Sequence, residues 1–563
     1  MRWTLKPVPN ENSVQHLATA LGIDETIARL LVQRGIESFA QAKAFFRPQL
    51  KDLHDPYLMK DMDIAVQRIQ TALSTNERIM VYGDYDVDGT TSVALMATYL
   101  ETKTEAIATY IPDRFTEGYG VSYAGIDYAA DNDFSLIIAL DCGVKALKKV
   151  AYAKEKGIDF IICDHHRPGD ALPQAVAVLD PKRSDCSYPF KELCGCGVGF
   201  KLIQALGQQF SESIDDLTPY LDLVATAIGA DIVPVVGENR ILAYYGLEVL
   251  NSKPRVGFQA LIHHIKKETL TLTDVVFVIA PRINAAGRMK HGNYAVSLLK
   301  EADATKAQAA SEAIETFNTT RRTLDQEITK AALLQIDQNQ EQDKATTVVY
   351  SPEWNKGVIG IVASRLIETY YRPTLVFTKS GDFLTASARS VRGFDVYTAL
   401  QNCSRYIEQF GGHKYAAGLS LKPDNYAAFK AAFDVEVASS LPPHLKTPEI
   451  HIDFELDLSA ITPKFYRILR QFAPFGPQNM APVFSTSAVH DSGYGKCVGQ
   501  DDKHLKISVY KNNTIPLNSI GFGLGSKLAL VQNKTPFDIA YAIEENEWNG
   551  QVSLQLKLKD IKP

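Results

Sequence analysis

Apolar residues recur at helical spacing through positions 12–22, 24–34 and 38–46, so a helical segment is expected over residues 1–75. The pattern then changes. A short apolar run at 79–82 leads into the polar string GDYDVDGTTS and an apolar helix at 93–100. Further strand-length runs lie at 107–111, 134–140, 160–163 and 175–179, with a Lys-rich helix at 145–156. Strand, loop and helix in alternation predict a parallel sheet covered on both faces. A helix at 197–209 and the segment 221–232 close this α/β unit, expected over 76–240. Residues 295–338 contain no Gly or Pro and predict one or two long helices within a helical connector over 241–340. A second α/β unit is expected over 341–440, with strands at 347–350 and 374–378, a helix at 357–370 and a Gly-rich turn at 411–418. LPPHLKTPE at 441–449 reads as a linker. Beyond it, two-residue alternation in HLKISVY and VSLQLKLKDI predicts a small β-barrel over 449–563.

Composition narrows the class. Hydrophobic residues at 45% and charged residues at 22% exclude a disordered or fibrous chain. No run approaches the roughly 18 apolar residues of a membrane span. The opening MRWTLKPVPNENSV lacks the apolar core of a signal peptide. Seven scattered cysteines fit a reducing compartment, so a cytoplasmic protein without disulfides is expected. Cys194 and Cys196 lack a second pair at zinc spacing and read as small buried residues. The net charge of −6 supplies no global attraction for nucleic acid. Such binding needs a local basic groove, and part of the acidic excess must sit elsewhere, as around a metal.

The acidic residues are placed to do that. Asp84, Asp86 and Asp88 alternate just beyond a strand, where ligand crevices form in open parallel sheets. Crowded carboxylates raise one another's pKa, and a divalent cation removes that cost. A solvated acidic turn explains one or two Asp better than three followed by Gly and three hydroxyl residues. Gly89 with Thr90, Thr91 and Ser92 has the composition of a phosphate-cradling turn. Asp141 ends the strand SLIIAL, Asp164-His165-His166 ends FIIC, and Asp231, read as another strand end, follows TAIGA. One Asp after a strand is often a helix cap, but four such points on one sheet edge can converge. Carboxylates with one or two imidazoles fit Mn2+ or Mg2+ better than zinc. A pair of such ions can clamp the attacking and leaving oxygens of a phosphoryl displacement.

These motifs together carry a resemblance. GDYDVDGTTS, the Asp141 site, DHH and GADIVP are similar, in order, to the four phosphoesterase motifs of the DHH phosphoesterase superfamily. PDRFTEGYG (112–120), PKRSDCSYPFKELCGCGVGFKL (181–202), APRINAAGRM (280–289), WNKGVIGIVASR (354–365), SARS (387–390), GGHKYAAG (411–418) and PFGPQN (474–479) extend it to the RecJ-like single-stranded-DNA exonucleases. The resemblance runs from about residue 45 to the end. It implies a DHH phosphoesterase domain, a long connecting helix, a DHHA1-like domain and an OB-type barrel. It implies two divalent cations, Mn2+ or Mg2+, held by Asp84, Asp86, Asp88, Asp141, His165 and Asp231, with Asp141 bridging. Which of Asp84, Asp86 and Asp88 ligate directly is left open. Asp86, Asp141, His165 and His166 are the implied catalytic set. His166 contacts the scissile phosphate or assists proton transfer, and Asp164 orients the histidines.

The same resemblance implies phosphate contacts from Arg114, Arg282, Arg288, Ser387 and Arg389, since guanidinium groups suit phosphate oxygens. A surface ion pair is the commoner fate of any one Arg. Gly411, Gly412 and His413 would let a nucleotide approach the backbone, against the plainer reading of a tight turn. On the barrel, Lys503 and Lys506, with His504 and Tyr510, offer charge and an aromatic to a single strand. Trp548 either stacks on a base or fills the barrel. Two positions depart from the family pattern: Asn355 where His is frequent, and Asp180 where Asn is. The implied activity is 5′-to-3′ hydrolysis of single-stranded DNA in recombination and repair, alongside a single-strand-binding protein and a helicase, with no membrane. Hydrolysis of short oligonucleotides or cyclic dinucleotides, and an inactive DNA-binding replication scaffold, are the competing readings.

Overall fold

A computed structural model describes every residue except Lys266, Asn513, Lys534, Asn549 and the side chain of Trp548. The expectation for Trp548 therefore lies outside the described residues. The chain forms two compact units. Met1–Pro112, Tyr119–Ala280 and Glu449–Pro563 make the first, Asp113–Gly118 and Pro281–Pro448 the second. Residues 241–280 of the expected helical connector fall in the first unit and residues 281–340 in the second.

The first unit contains a five-stranded, wholly parallel sheet. Its spatial order is Ile107–Tyr110, Arg78–Gly83, Phe134–Leu140, Asp159–Cys163 and Ala177–Leu179. The first of these five strands in chain order, Arg78–Gly83, thus lies between the second and the third. The connection that follows it runs to one side and the one that follows Phe134–Leu140 to the other, so a crevice opens at the carboxyl ends of these two strands. Helix Val87–Leu100 follows the first strand and is apolar nearly all round. It is sandwiched against helices Gly195–Gln209 and Leu221–Ala230, as such a helix must be.

The strand expected before Asp231 is corrected. Residues 221–230 form an α-helix with Asp231 at its C-terminal cap. A short apolar run such as TAIGA does not distinguish a strand from a buried helix by period. The wholly helical N-terminus is corrected too. Arg2–Leu5 is a strand, paired in parallel with Glu449–Ile452. Its partner lies hundreds of residues away, so no local pattern marks it.

The C-terminal part of this unit is a closed barrel. Phe484–Asp491 pairs with Phe537–Trp548, then Gln551–Lys562, Leu517–Gly521 and His504–Tyr510, which returns to Phe484–Asp491. Closure removes the exposed edges of the sheet. The N-terminal helices complete its packing. Val14, Leu17, Ile27, Leu30 and Leu31 share one core with Phe465, Phe472, Phe484, Val509 and Leu558.

In the second unit the strand order is Gln409–His413, Ala416–Leu421, Phe383–Arg389, Thr374–Ser380 and Thr347–Tyr350, and only the last pair is parallel. The expected Gly-rich turn is mostly strand. Gly411 pairs with Gly418 and His413 with Ala416, so only two residues turn the chain. Residues 295–338 give helix Ala304–Gln338, capped by Asp303, and the tail of a separate helix, Asn293–Lys300. Ile328, Ala332 and Ile336 of the long helix pack on Val349, Val362 and Leu366. No described helix is long and apolar enough to cross a membrane.

One side chain ties the sheet region of the first unit to the barrel. Arg240, 4% exposed, donates to the carbonyls of Phe45 (2.9 Å), Phe472 (2.9 Å) and Ala473 (2.9 Å). The Phe45 ring lies 3.8 Å from the guanidinium carbon. Burial, then the nearby Arg34, lowers the Arg240 pKa to about 10. The neighbouring carbonyls take the place of water. Replacing Arg240 by Met orphans the buried Phe45 and Ala473 carbonyls, while Phe472 keeps the Asn479 amide at 2.8 Å. At ~1 kcal/mol or more for each orphaned acceptor, a loss of about 2 kcal/mol is expected. Urea unfolding measures it, and an unchanged midpoint with an unchanged slope would contradict this role.

Candidate metal centre

The strand ends deliver the side chains to one edge. Asp84 follows Arg78–Gly83 and is fully buried. Asp86 caps helix Val87–Leu100 through a 3.0 Å hydrogen bond from the Gly89 amide. Asp88 lies in the first turn of that helix. Asp141 follows Phe134–Leu140 in a left-handed conformation, φ 58°, stabilised by its amide donating to the Cys163 carbonyl. Such a φ is uncommon outside glycine, though Asp tolerates it better than most residues. Residues 164–166 follow Asp159–Cys163, and Asp231 comes from the helix end.

Three carboxylates surround one imidazole. His165 Nε2 is 3.2 Å from Asp141 Oδ1, 3.6 Å from Asp231 Oδ2 and 3.8 Å from Asp88 Oδ2. Asp141 Oδ1 and His165 Nε2 are buried and find no hydrogen-bond partner among the described residues. Burial, reinforced by the charge of His166, lowers the His165 pKa to about 3. The ring is therefore neutral and offers a lone pair. Burial, then Asp86, pushes Asp88 up to about 7. Burial, then Asp88 and Asp86, holds Asp141 and Asp231 well above the ordinary carboxylate range. A divalent cation among these atoms would satisfy the orphaned oxygen and nitrogen and relieve the repulsion. The donor atoms of Asp88, His165 and Asp231, and those of Asp141, His165 and His166, form sets within 4.8 Å. Oxygen donors with imidazole suit Mn2+ or Mg2+. Burial and Asp88 keep the nearby Cys194 and Cys196 thiols well above their ordinary pKa.

Asp164 has the opposite environment. Burial alone would raise its pKa, yet it titrates below the ordinary carboxylate range. Its Oδ1 accepts from His166 Nδ1 (2.7 Å) and from the amides of His165 (2.7 Å) and His166 (3.1 Å), and its Oδ2 from the Val144 amide (2.9 Å). His166 gains in return. Burial opposes its charge, but the Asp164 hydrogen bond prevails and raises the pKa to about 9. Its Nε2 faces the Tyr119 hydroxyl at 3.3 Å.

The three candidate aspartates divide by place. The Asp88 carboxylate joins the gathered donors, gripped by the amides of Gly195 and Cys196 at 2.7 Å each. Asp86 acts on Asp88, Asp141 and Asp231 through its charge. Asp84 raises the pKa of Tyr119 after burial and Asp141. The phosphate-cradling turn is corrected. Thr90, Thr91 and Ser92 are buried inside the helix, and their hydroxyls donate to the carbonyls of Asp86, Val87 and Asp88. Asp180 is buried beside this edge, where burial, then Asp164, raises it to about 7. Two parts escaped the sequence reading. Tyr119 lies within PDRFTEGYG, where only Arg114 drew attention. The amides of Gly195 and Cys196 carry no side-chain signal.

The phosphate candidates lie in the second unit. Arg389 donates to Ser387 Oγ (3.0 Å) and the Ala388 carbonyl (2.8 Å). Burial lowers its pKa with no charged neighbour offsetting it. Arg114 donates to the Gly287 carbonyl (3.0 Å) and Arg288 to the Gly357 carbonyl (3.0 Å). Arg282 pairs with Glu315 at 2.6 Å. Asn355 accepts from the Gly357 amide (2.8 Å), holding the same turn. Gly411, Gly412 and His413 form an exposed strand. On the barrel, Lys506 is exposed on His504–Tyr510, while Lys503 pairs with Asp501 at 3.1 Å.

Comparison with known proteins follows the same division. Three family models match: DHH family, N-terminal domain, over 78–228; DHHA1 domain over 343–439; and RecJ OB domain over 452–560. The chain is 36% identical over 570 residues to the single-stranded-DNA-specific exonuclease RecJ of Bacillus subtilis (strain 168), covering 100% of this chain and 70% of that protein. It is 32% identical to the protein of the same name from Escherichia coli (strain K12), covering 95% of this chain and 96% of that one. The crystal structure of RecJ in complex with Mn2+ from Thermus thermophilus superposes with a TM-score of 0.86 at 27% identity, covering 100% of this chain and 79% of that chain.

The carboxylate cluster makes a pH-dependent prediction. In the metal-free fold Asp88 keeps its proton up to about pH 7, whereas an unfolded aspartate releases it near pH ~4. The folded state then binds more protons, so metal-free stability falls as pH rises across that window. Cation binding demands the ionised forms. The rise in melting temperature caused by saturating Mn2+ should be small near pH ~4 and grow to about pH 7. Thermal scans in chelator and in Mn2+ measure it, and a pH-independent increment would remove the cluster as the cation site.

Proposed function

The chain belongs to the RecJ family of single-stranded-DNA-specific exonucleases, and from that premise we propose that it hydrolyses single-stranded DNA from its 5′ end with two divalent cations, Mn2+ or Mg2+. The observation that carries this reading is the arrangement of Asp88, Asp141 and Asp231 around His165 Nε2, at 3.2–3.8 Å. When bound there, the cations neutralise phosphate charge and promote ionisation of water. Asp88, Asp141, His165 and Asp231 would hold them, with Asp84 and Asp86 adding negative charge close by.

The chain's own groups do the rest. Hydrolysis adds a water oxygen to phosphorus and breaks the bond to the leaving sugar oxygen, which must take a proton. His166, charged and oriented by Asp164, is placed to hold a phosphate oxygen or to give that proton. Tyr119 stands at its other nitrogen and fixes the ring. Arg389, with Ser387 beside it, offers a buried guanidinium with no acidic partner among the described residues, and a terminal phosphate dianion would supply a counter-charge. That supports recognition of a 5′ end. Arg114 and Arg288 add guanidinium donors for neighbouring phosphates, and Gly411, Gly412 and His413 offer an exposed backbone edge. On the barrel, Lys506 stands across the sheet from Ile520, and Ile520 from Lys557. The exposed Phe522 ring lies 5.1 Å from that of His504. Charge and rings in alternation suit a single strand.

The cell's use would be removal of single strands during recombination and repair. A helicase would supply such strands and a single-strand-binding protein would cover them. Seven free thiols support a cytoplasmic setting.

Digestion of end-labelled single-stranded DNA, duplex DNA, RNA and a dinucleotide, each with Mn2+, Mg2+ or chelator, tests the reading. Single-stranded DNA should be consumed from the 5′ end, with no product in chelator. Preference for the dinucleotide would favour the short-substrate phosphodiesterase instead. Asp141→Ala and His165→Ala should abolish cleavage while leaving part of the strand binding, read by fluorescence anisotropy. Normal turnover in either variant would overturn the metal assignment. Arg389→Ala should reduce the preference for a 5′-phosphorylated over a 5′-hydroxyl substrate at least ~10-fold, and an unchanged ratio removes Arg389 from that pocket.

A further inference from the structure

We infer that Asn239 is a positioning residue that sets the separation of the Asp88 and Asp231 carboxylates. The inference rests on the metal-centre reading above. Asn239 is fully buried in the first turn of helix Gly237–Ser252. Its single Nδ2 donates to two carbonyls, those of Glu192 (2.5 Å) and Pro234 (3.0 Å).

Those carbonyls belong to the two segments that place the carboxylates. Glu192 precedes Cys194, the cap of helix Gly195–Gln209, whose first amides grip Asp88 at 2.7 Å each. Pro234 follows Asp231 by three residues. The two N–H bonds of one planar amide diverge at a fixed angle. A carbonyl bound to each is therefore held at a fixed distance from the other.

The segment 232–235 needs such a hold. Ile232 is 64% exposed and sits at φ 59°, where a β-branched side chain is a genuine outlier. Strain of this kind, about 1–3 kcal/mol, persists only where the surroundings over-determine the backbone. On one side the Asn239 amide holds Pro234. On the other, the Val235 amide donates to the Pro477 carbonyl at 2.8 Å. Gly476 leaves room there, since a Cβ would come within 2.4 Å of Val235 Cγ2. The PFGPQN segment is thus a brace for the loop carrying Asp231.

A structural role alone would cost stability without changing cation affinity, and the two outcomes separate by calorimetry. Mn2+ is titrated into the full chain, the Asn239→Ala and Asn239→Asp variants, and Asn251→Ala as control. Asn251 lies on the same helix and donates to the carbonyls of Leu247 and Leu270, away from the ligand segments. Both Asn239 variants should bind Mn2+ about 10–100-fold more weakly, the usual effect of removing a group that orients metal ligands. The Mn2+ concentration for half-maximal cleavage should rise equally, with kcat recovering at saturating Mn2+ and KM for the strand unchanged. Asn251→Ala should lower the melting temperature alone. Unchanged Mn2+ affinity in whichever Asn239 variant folds overturns the inference. So does failure of both to fold where Asn251→Ala folds, which makes Asn239 a folding residue. Wild-type chain that takes up no Mn2+ removes the metal centre itself, a result distinct from either.

Discussion

Three carboxylates packed around one uncharged imidazole cannot all ionise without a compensating cation. The architecture of the first unit answers that repulsion at every step. Asp88 is reached by two backbone amides, which spread part of its charge into a helix N-terminus. Asp164 is kept apart by having His166 as its own counter-ion. The surrounding thiols stay protonated. Like groups a few ångströms apart therefore acquire opposite tasks. Asp88, Asp141 and Asp231 repel one another and are held above the ordinary carboxylate range, whereas Asp164 and His166 favour each other's charged forms. Environments that push like groups apart in pKa are a recurring way of dividing labour within a site.

Two positions of uncommon backbone lie at this edge: Asp141, within the cluster, at φ 58°, and Ile232, next to Asp231, at φ 59°. Each is held by contacts from elsewhere in the chain: Asp141 by the neighbouring strand, Ile232 by a buried amide and the segment before the barrel. The segment that leads into the barrel is also part of the scaffold behind Asp231, because Pro477 accepts from the Val235 amide and Arg240 binds the carbonyls of Phe472 and Ala473.

Much of this was legible in the residues. The alternation of short apolar runs with polar loops marked the parallel sheet, and acids at the ends of those runs marked groups that gather at one edge, because both signals are local. What failed was non-local or ambiguous. Arg2–Leu5 is a strand only because Glu449–Ile452 lies beside it. Asp231 arrives on a helix because five apolar residues carry no decisive period. Thr90, Thr91 and Ser92 looked like phosphate donors, yet their hydroxyls turn inward to their own helix. The Gly195 and Cys196 amides could not be seen, since main-chain donors leave no mark in a sequence.

The shared core of the N-terminal helices and the barrel has a kinetic consequence. Arg34 donates to Asn479 across 445 residues, and Val14, Leu17 and Leu31 are buried by side chains as remote. During synthesis those apolar faces emerge long before the strands that cover them. They must wait uncovered, or in provisional company, until the barrel is made. Loop-closure entropy on this scale slows assembly, and the interval is when exposed helix faces invite aggregation or chaperone capture. The topology thus sets a late, all-together closing step, in which the helices of residues 11–46 and the barrel become structured at the same moment.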